Sequence, residues 1–327
     1  MKKITKLLVF VLLVGAAVLM TGCSTRTESK SEKTIGIIQY VDHVALNSAR
    51  EGFVEALADN GYVDGENISI DLQNAQGDQS NLSTISDRFV ANKVDLVLAI
   101  ATPAAQSIAG KTTEIPILAT AITDYESAKL VNSNEIPGMN VSGTTDMNPI
   151  KKQIDLLMRL APEAKTIGVL YTSNEDNSIV QTKIAKEIIE DLGLKYTEIT
   201  VSNSNEVQQA TQAIVGICDA IYIPTDNIFA SAMPVVHGVT SVSKTPVICG
   251  ESGMVDQGGL ATVAINYRDL GYQTGIMAVR ILNGEAKPAT MPIESSDDFD
   301  FTINGTVAEE IGIEIPEDLK KYVSEGN

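Results

Sequence analysis

The sequence predicts an α/β fold of two doubly wound parallel-sheet lobes, with a hinge and a ligand cleft between them. Three observations predict it. Runs of β-branched and aliphatic residues alternate with helix-period stretches in units of about 30 residues, which is how right-handed βαβ units read. The stretch Thr34-Ile35-Gly36-Ile37-Ile38-Gln39-Tyr40 recurs 132 residues later as Thr166-Ile167-Gly168-Val169-Leu170-Tyr171-Thr172. Ile115-Pro116-Ile117-Leu118 recurs 130 residues later as Thr245-Pro246-Val247-Ile248, so two near-equal offsets mark a duplicated plan.

The chain starts with Lys2, Lys3 and Lys6, followed by 14 apolar or glycine residues from Leu7 to Met20. That run is shorter than the ~20 residues a helix needs to cross a bilayer and suits the core of a secretion signal. It ends in Leu19-Met20-Thr21-Gly22-Cys23-Ser24, which resembles a bacterial lipobox. Residues 1–22 are therefore read as a lipoprotein signal peptide and Cys23 as the lipidated mature N-terminus. The polar residues of 23–33 then form a flexible tether.

In the first copy, strand 34–40 precedes a helix over 46–60, strand 67–73, a helix over 81–91, strand 95–100 and strand 115–118. In the second, strand 166–172 precedes a helix over 179–192, strand 195–201, a helix over 206–215, strand 219–223 and strand 245–248. Pro137 and Gly138 punctuate the join, 140–144 suits a crossing strand, and 148–160 an amphipathic helix. Strand 260–265 and a helix over 267–282 follow, the helix crossing back onto the first lobe. Lobe one is thus 34–123 plus about 266–287 and lobe two about 140–265. Residues 288–327 add a strand and a helix that the sequence assigns to neither lobe.

Composition narrows the function. With 24 Lys+Arg against 42 Asp+Glu, the net charge of −18 argues against nucleic acid. It also leaves the acyl chain, rather than the surface, to hold the protein on anionic membrane. Three Cys build no disulfide framework, and two His without a metal-spaced motif imply no metal or cofactor. Cys218 and Cys249 read as small hydrophobes. Gly110-Lys111-Thr112 lacks the first glycine of a P-loop, and Gly250-Glu251-Ser252-Gly253 falls one residue short of a nucleophile elbow. No catalytic set emerges, so the chain reads as a binder and not an enzyme.

Ligands of open parallel sheets bind beyond the carboxyl ends of the strands. Lobe one offers Gln39, Tyr40, Asp42, His43, Asn74 to Gln76, Thr102-Pro103-Ala104 and Thr120 to Asp124, which includes Thr123. Lobe two offers Tyr171, Ser173, Asn174, Glu175, Asn177, Ser178, Thr225-Asp226-Asn227 and Gly250-Glu251. Thr102-Pro103-Ala104-Ala105 opens a helix, so the N–H groups of Ala104 and Ala105 are candidates for a ligand carboxylate. Asp226 is a candidate for an ammonium, with helix capping the other reading. Together they match the two ends of an amino-acid zwitterion. Tyr40, Tyr171, Tyr125 and Phe229 are candidates to stack on the ligand.

The stretches IIQYVDHVALNSAREGFVEAL (37–57), NAQGDQSNL (74–82), ATPAAQ (101–106), IGVLYTSNEDNS (167–178) and YIPTDN (222–227) resemble the substrate-binding lipoproteins of ABC transporters, in the tryptophan/tyrosine-type family. The likeness runs from about Thr34 to Lys287, and departs at Thr123-Asp124-Tyr125, where Asp-Pro is common. It implies a periplasmic-binding-protein fold of type 1 and capture of a small solute, an aromatic amino acid favoured. It also implies ABC permease partners and an extracytoplasmic, lipid-anchored location. By position the TPAAQ turn would take the carboxylate and Asp226 the ammonium. A tethered sensor feeding a signalling partner, or a binder of sugars or nucleosides, would use the same cleft.

Overall fold

The computed structural model describes residues 33–296 and 298–324. The signal segment, Cys23 and the tether up to residue 32 lie outside the described residues. Lobe one opens with β1 (Lys33–Gln39), α1 (Val44–Asp59), β2 (Ile68–Asn74), α2 (Gln79–Asn92), β3 (Leu96–Ile100), α3 (Thr102–Ala109), β4 (Ile117–Ile122) and β5 (Val141–Thr145). Lobe two follows with α4 (Ile150–Leu160), β6 (Thr166–Thr172), α5 (Asp176–Asp191), β7 (Lys195–Val201), α6 (Val207–Ile214) and β8 (Ala220–Ile223). It continues through α7 (Asn227–Ser231), α8 (Met233–Ser243), β9 (Val247–Cys249), α9 (Ser252–Asp256) and β10 (Ala261–Ala264). The chain ends with α10 (Tyr267–Leu282), β11 (Glu294–Ser295), β12 (Asp300–Asn304), α11 (Gly305–Ile311) and β13 (Val323–Ser324).

The strand orders are β11-β5-β4-β3-β1-β2 in one sheet and β13-β12-β10-β9-β8-β6-β7 in the other. Five strands of each sheet follow the same winding, so the repeat seen in the sequence is a repeat of topology. All ladders are parallel except β10–β12. The strands read as apolar runs because helices cover both faces. Leu96 to Ile100 is wholly buried, as is Ala220 to Ile223.

Two boundaries move. Residues 141–145 were expected to begin lobe two, but β5 pairs with β4 (Ile117↔Val141) and belongs to lobe one's sheet. The crossing therefore falls between Thr145 and Ile150. Segment 288–327 divides: β11 edges lobe one beside β5, while β12 and β13 extend lobe two. The chain passes between the sheets three times, which is the geometry of a hinge. Cys218 and Cys249 are free thiols.

The helix α10 packs along α1 in lobe one, as its pattern implies. Small residues set the approach. A Cβ on Gly271 would lie 1.8 Å from the Ala49 carbonyl oxygen, and one on Gly52 would lie 2.0 Å from that of Arg268. Backbone cannot yield as a side-chain tip can. Gly271→Ala is therefore expected to destabilise the protein by about 1–3 kcal/mol. A urea midpoint equal to that of the wild type would contradict this.

Candidate functional site

The carboxyl ends of both sheets face each other, and the loops beyond them meet. His43, which precedes α1, places Nε2 3.4 Å from Asn227 Oδ1 of lobe two. Thr123 Oγ1 lies 3.5 Å from Thr225 Oγ1 and 3.4 Å from Gln181 Nε2. Gln106 donates to Asp176 Oδ2 at 2.7 Å near the rim. The lobes are closed on one another. Between them is a cavity of only ≈ 10 Å³, lined in part by His43, Thr123, Asn177, Asp226, Glu251 and Tyr267. That holds about one water-sized sphere, so a metabolite enters only when the hinge opens.

A wider groove of ≈ 1110 Å³ lies elsewhere on lobe one, between Thr113–Pro116 and Ala286–Ala289. It sits at the amino-terminal ends of β4 and β5, away from the cleft. None of the buried, unpartnered polar atoms found among the described residues line it, so the small polar cavity is the better candidate.

Three lobe-two helices start at this cavity, each behind an acidic residue. Glu175 precedes α5, Asp226 caps α7 and Glu251 caps α9. The caps arise where strand ends turn into helices, and an acid there meets unpaired N–H groups and a favourable dipole. Asp226 Oδ2 accepts from the Thr172 N–H and the Ser178 hydroxyl at 2.6 and 2.7 Å. Its Oδ1 accepts from the Thr172 hydroxyl and the Phe229 N–H at 2.8 and 2.9 Å. Both oxygens are filled, so Asp226 holds the loop together and is not free for the ammonium expected of it.

Glu175 is different. Its Oε2 accepts from Asn227 Nδ2 at 2.6 Å and Asn177 Nδ2 at 3.1 Å, while Oε1 is buried with no partner among the described residues. Glu251 repeats the pattern: Oε2 accepts from the Gly253 N–H, and Oε1 has no partner. Asn177 Oδ1 and, in α8 away from the cavity lining, His237 Nδ1 are the other orphans on lobe two among the described residues, and on lobe one they are His43 Nδ1, Asn74 Nδ2 and Thr102 Oγ1. Asn227 Nδ2 is committed to Glu175, so its oxygen takes the His43 Nε2–H. Burial lowers the His43 imidazole to about 4 and keeps it neutral.

Burial without a counter-ion dominates the carboxyls. Among the described residues no Lys or Arg lines the cavity. Desolvation, with the charge of Asp226 second, raises Glu175, and desolvation raises Asp226 as well. Glu251 is pushed up to about 8 by burial. Asp146, a cavity residue that carries no motif, is also raised by burial, and accepts from Tyr267 at 2.6 Å and Thr123 at 3.0 Å.

Several expected contacts turn out to be scaffold. Gln39 Nε2 donates to Val41 O and Asn47 Oδ1, and Gln39 Oε1 accepts from Arg50, so its amide is spent inside lobe one. The Ala104 and Ala105 N–H groups both donate to the Ala101 carbonyl and are unavailable to a carboxylate. The Thr102 hydroxyl is available instead, while Pro103 and Ala104 supply buried walls. Ala101 holds φ +81° and Ala121 φ +57°, left-handed values rare for alanine. Tyr171 sits on the face of β6 toward Glu198 of β7, not toward the cleft; alternation gives that place to Thr172. Tyr125 is buried in lobe one, donating to Ala119 O and Thr144 O. Asp124 accepts from the Ser127 N–H, and Ser173 bonds Val201 O. Tyr40, Asn177, Ser178 and Phe229 do converge beside Glu175 and Asp226.

Two α/β lobes shut over a polar cavity, with a hinge of three crossings, define a solute-binding protein. Residues 34–326 match the family described as ABC transporter substrate binding protein, and the chain belongs to it. It is 42% identical over 297 residues to a tyrosine-binding protein of Clostridioides difficile, covering 88% of this chain and 86% of that one. A Streptococcus structure in complex with L-Trp superposes with a TM-score of 0.87 at 41% identity, over 90% of this chain and 100% of that one. The ligand-free, open structure of a Clostridium difficile substrate-binding protein with adhesive properties is 47% identical over 89% of this chain and 98% of that one, yet has a TM-score of 0.68. The chain follows the liganded relative more closely despite the lower identity, as its closed cleft requires.

Glu251 stays protonated in the folded, ligand-free protein up to about 8, while the unfolded chain ionises near 4.5; the raised Glu175 acts in the same direction. Stability from these groups is full below the lower value and is lost as pH rises through the higher one. Urea midpoints of the ligand-free protein should fall from pH 5 to pH 8.5, and the fall should flatten in a Glu175→Gln, Glu251→Gln double variant. An equal slope in both proteins would remove these carboxyls as the cause.

Proposed function

We propose that this protein is the extracytoplasmic substrate-binding lipoprotein of an ABC importer, and that it captures an aromatic amino acid by hinge closure. The observation that carries the reading is how the unpartnered buried atoms divide between the lobes. At the strand ends that face the cleft, lobe two presents oxygen acceptors at Glu175, Asn177 and Glu251, and lobe one presents donors at Thr102 and Asn74 beside the acceptor Nδ1 of His43. An α-ammonium fits the first set and an α-carboxylate the second. Each satisfies a group whose isolation is costly, so the ligand favours the closed form over the open one. The tyrosine-binding and L-Trp-bound relatives support an aromatic side chain. The permease then recognises the closed surface. No bond is broken in this cycle.

A thermal-shift screen of the mature domain against the twenty amino acids, sugars and nucleosides tests the class. Stabilisation by tyrosine or tryptophan is expected; stabilisation by sugars alone would replace the reading. By calorimetry Glu175→Gln is expected to weaken amino-acid binding by about 2 kcal/mol or more, since it leaves the buried ammonium without its charged acceptor. Unchanged affinity would refute that role.

The leader and lipobox support anchoring through Cys23. Cys23→Ala should move the protein from the membrane to the soluble fraction with ligand affinity unchanged. A variant that remains membrane-bound would assign the anchor elsewhere.

A further inference from the structure

The ammonium needs one end of the cavity; Glu251 marks another. We infer that Glu251 is a specificity-determining acceptor that selects amino acids carrying an N–H or O–H on the aromatic ring over plain phenylalanine. This rests on the aromatic amino-acid reading and sharpens it.

Glu251 is 2% exposed and lines the cavity, and its Oε1 has no partner among the described residues. Nearby groups do not supply a donor. The Tyr267 hydroxyl is committed to Asp146 Oδ2 at 2.6 Å, and the Thr123 hydroxyl to Asp146 Oδ1 at 3.0 Å. Asp146 and Asp256 add only like charge. The loop is rigid: the Gly250 carbonyl accepts from Asn148 at 3.0 Å and from Gln153 at 3.1 Å. A Cβ on Gly250 would meet the Thr225 N at 2.1 Å, so the Glu251 loop is locked against the loop that carries Asp226. Glu251 cannot swing aside to find water while the cleft is shut.

Glu175 shares a network with Asp226, Asn177 and Asn227, whereas Glu251 groups with Asp146 and Tyr267. The cavity thus meets two acceptor networks, Glu251 on its wall and Glu175 behind Asn177 and Asn227, with Leu46, Ala121 and Ala230 among the apolar walls. An amino acid whose ammonium takes the Glu175 end leaves Glu251 to its side chain. A phenol or an indole donates to the carboxylate form, so Glu251 gives up to solvent the proton that burial keeps on it in the empty cleft; a phenyl ring offers that form no donor, and sites built for such a donor reject analogues that lack it.

Calorimetry with tryptophan, tyrosine and phenylalanine tests this. The wild type should bind tryptophan and tyrosine at least about tenfold more tightly than phenylalanine. In Glu251→Gln the amide oxygen is held by the Gly253 N–H and its NH2 faces the cavity. Donor then meets donor for indole, and the tryptophan-to-phenylalanine ratio should fall to within about twofold, while tyrosine, whose oxygen can accept, loses less. Glu251→Met should lower both ratios, and near-UV circular dichroism checks that each variant is folded. Glu175→Gln should weaken all three ligands alike. A tryptophan-to-phenylalanine ratio that survives in both folded Glu251 variants, or a wild type that binds the three equally, overturns the inference and leaves the amino-acid reading standing. A wild type that binds none of the three overturns that reading itself.

Discussion

Closing the lobes takes carboxyl groups out of water without giving them a cation, and most features of the site answer that cost. An isolated buried carboxylate is expensive. Here Asp226, Glu251 and Asp146 line one small volume with no Lys or Arg on its wall among the described residues, and Glu175 sits behind that wall, bonded to Asn177 and Asn227. The fold reduces the cost in two ways. Three of the four sit at helix N-termini, where the dipole favours negative charge. Asp226 takes four donors and Asp146 two, so those two are internally settled. Glu175 and Glu251 keep one open oxygen each, and the cost that remains is concentrated on them.

This placement follows from the winding of the sheets. In a doubly wound lobe every parallel strand ends where a helix begins, so capping residues and ligand-facing residues occupy the same few positions. Duplicating the lobe and turning the copies face to face doubles the supply. Capping and binding then compete for the same side chain. Asp226 is consumed by the cap, whereas Glu251 gives one oxygen to the cap and keeps one. The left-handed φ values of Ala101 and Ala121 fall at the ends of β3 and β4, where the loops bend into the cleft.

Most of the architecture was legible because periodicity and repeats are local signals. The strand expected at 195–201 and the helix expected at 267–282 match β7 and α10 residue for residue. The crossing strand was misassigned because edge pairing is not local: nothing in Val141–Thr145 says which sheet it joins. The site was legible as a set of loops and less so as atoms. Tyr171 follows its strand pattern onto the wrong face, since a single residue of register separates it from Thr172. The Ala104 and Ala105 donors vanish because Ala101 is the N-cap of α3 and its carbonyl accepts the first helical bonds from both. Asp146 and Tyr267 carry no motif and meet only through the hinge. Glu175 stood in the right loop, but only the hydrogen-bond network separates its open oxygen from the filled ones of Asp226.

The balance between open and closed forms follows from the size of these terms. Direct bonds between the lobes are few and long, at 3.4 Å for His43–Asn227, 3.5 Å for Thr123–Thr225 and 3.4 Å for Gln181–Thr123. Such distances mark weak bonds. The short one, Gln106–Asp176, is exposed and contributes roughly 1 kcal/mol or less. Against this small gain stands the desolvation of two carboxyls with open oxygens, which an empty, shut cleft tolerates only while they hold their protons. Shifting a two-state equilibrium from 1:99 to 99:1 needs about 5.5 kcal/mol of differential binding. Two or three hydrogen bonds to charged groups, at roughly 1.5–3 kcal/mol each, supply that. A ligand that satisfies Glu175 and Glu251 together therefore drives closure fully, whereas one that satisfies Glu175 alone leaves the hinge partly open. Selectivity and transport competence are then the same property, because the groups that read the ligand are those whose burial closure must compensate.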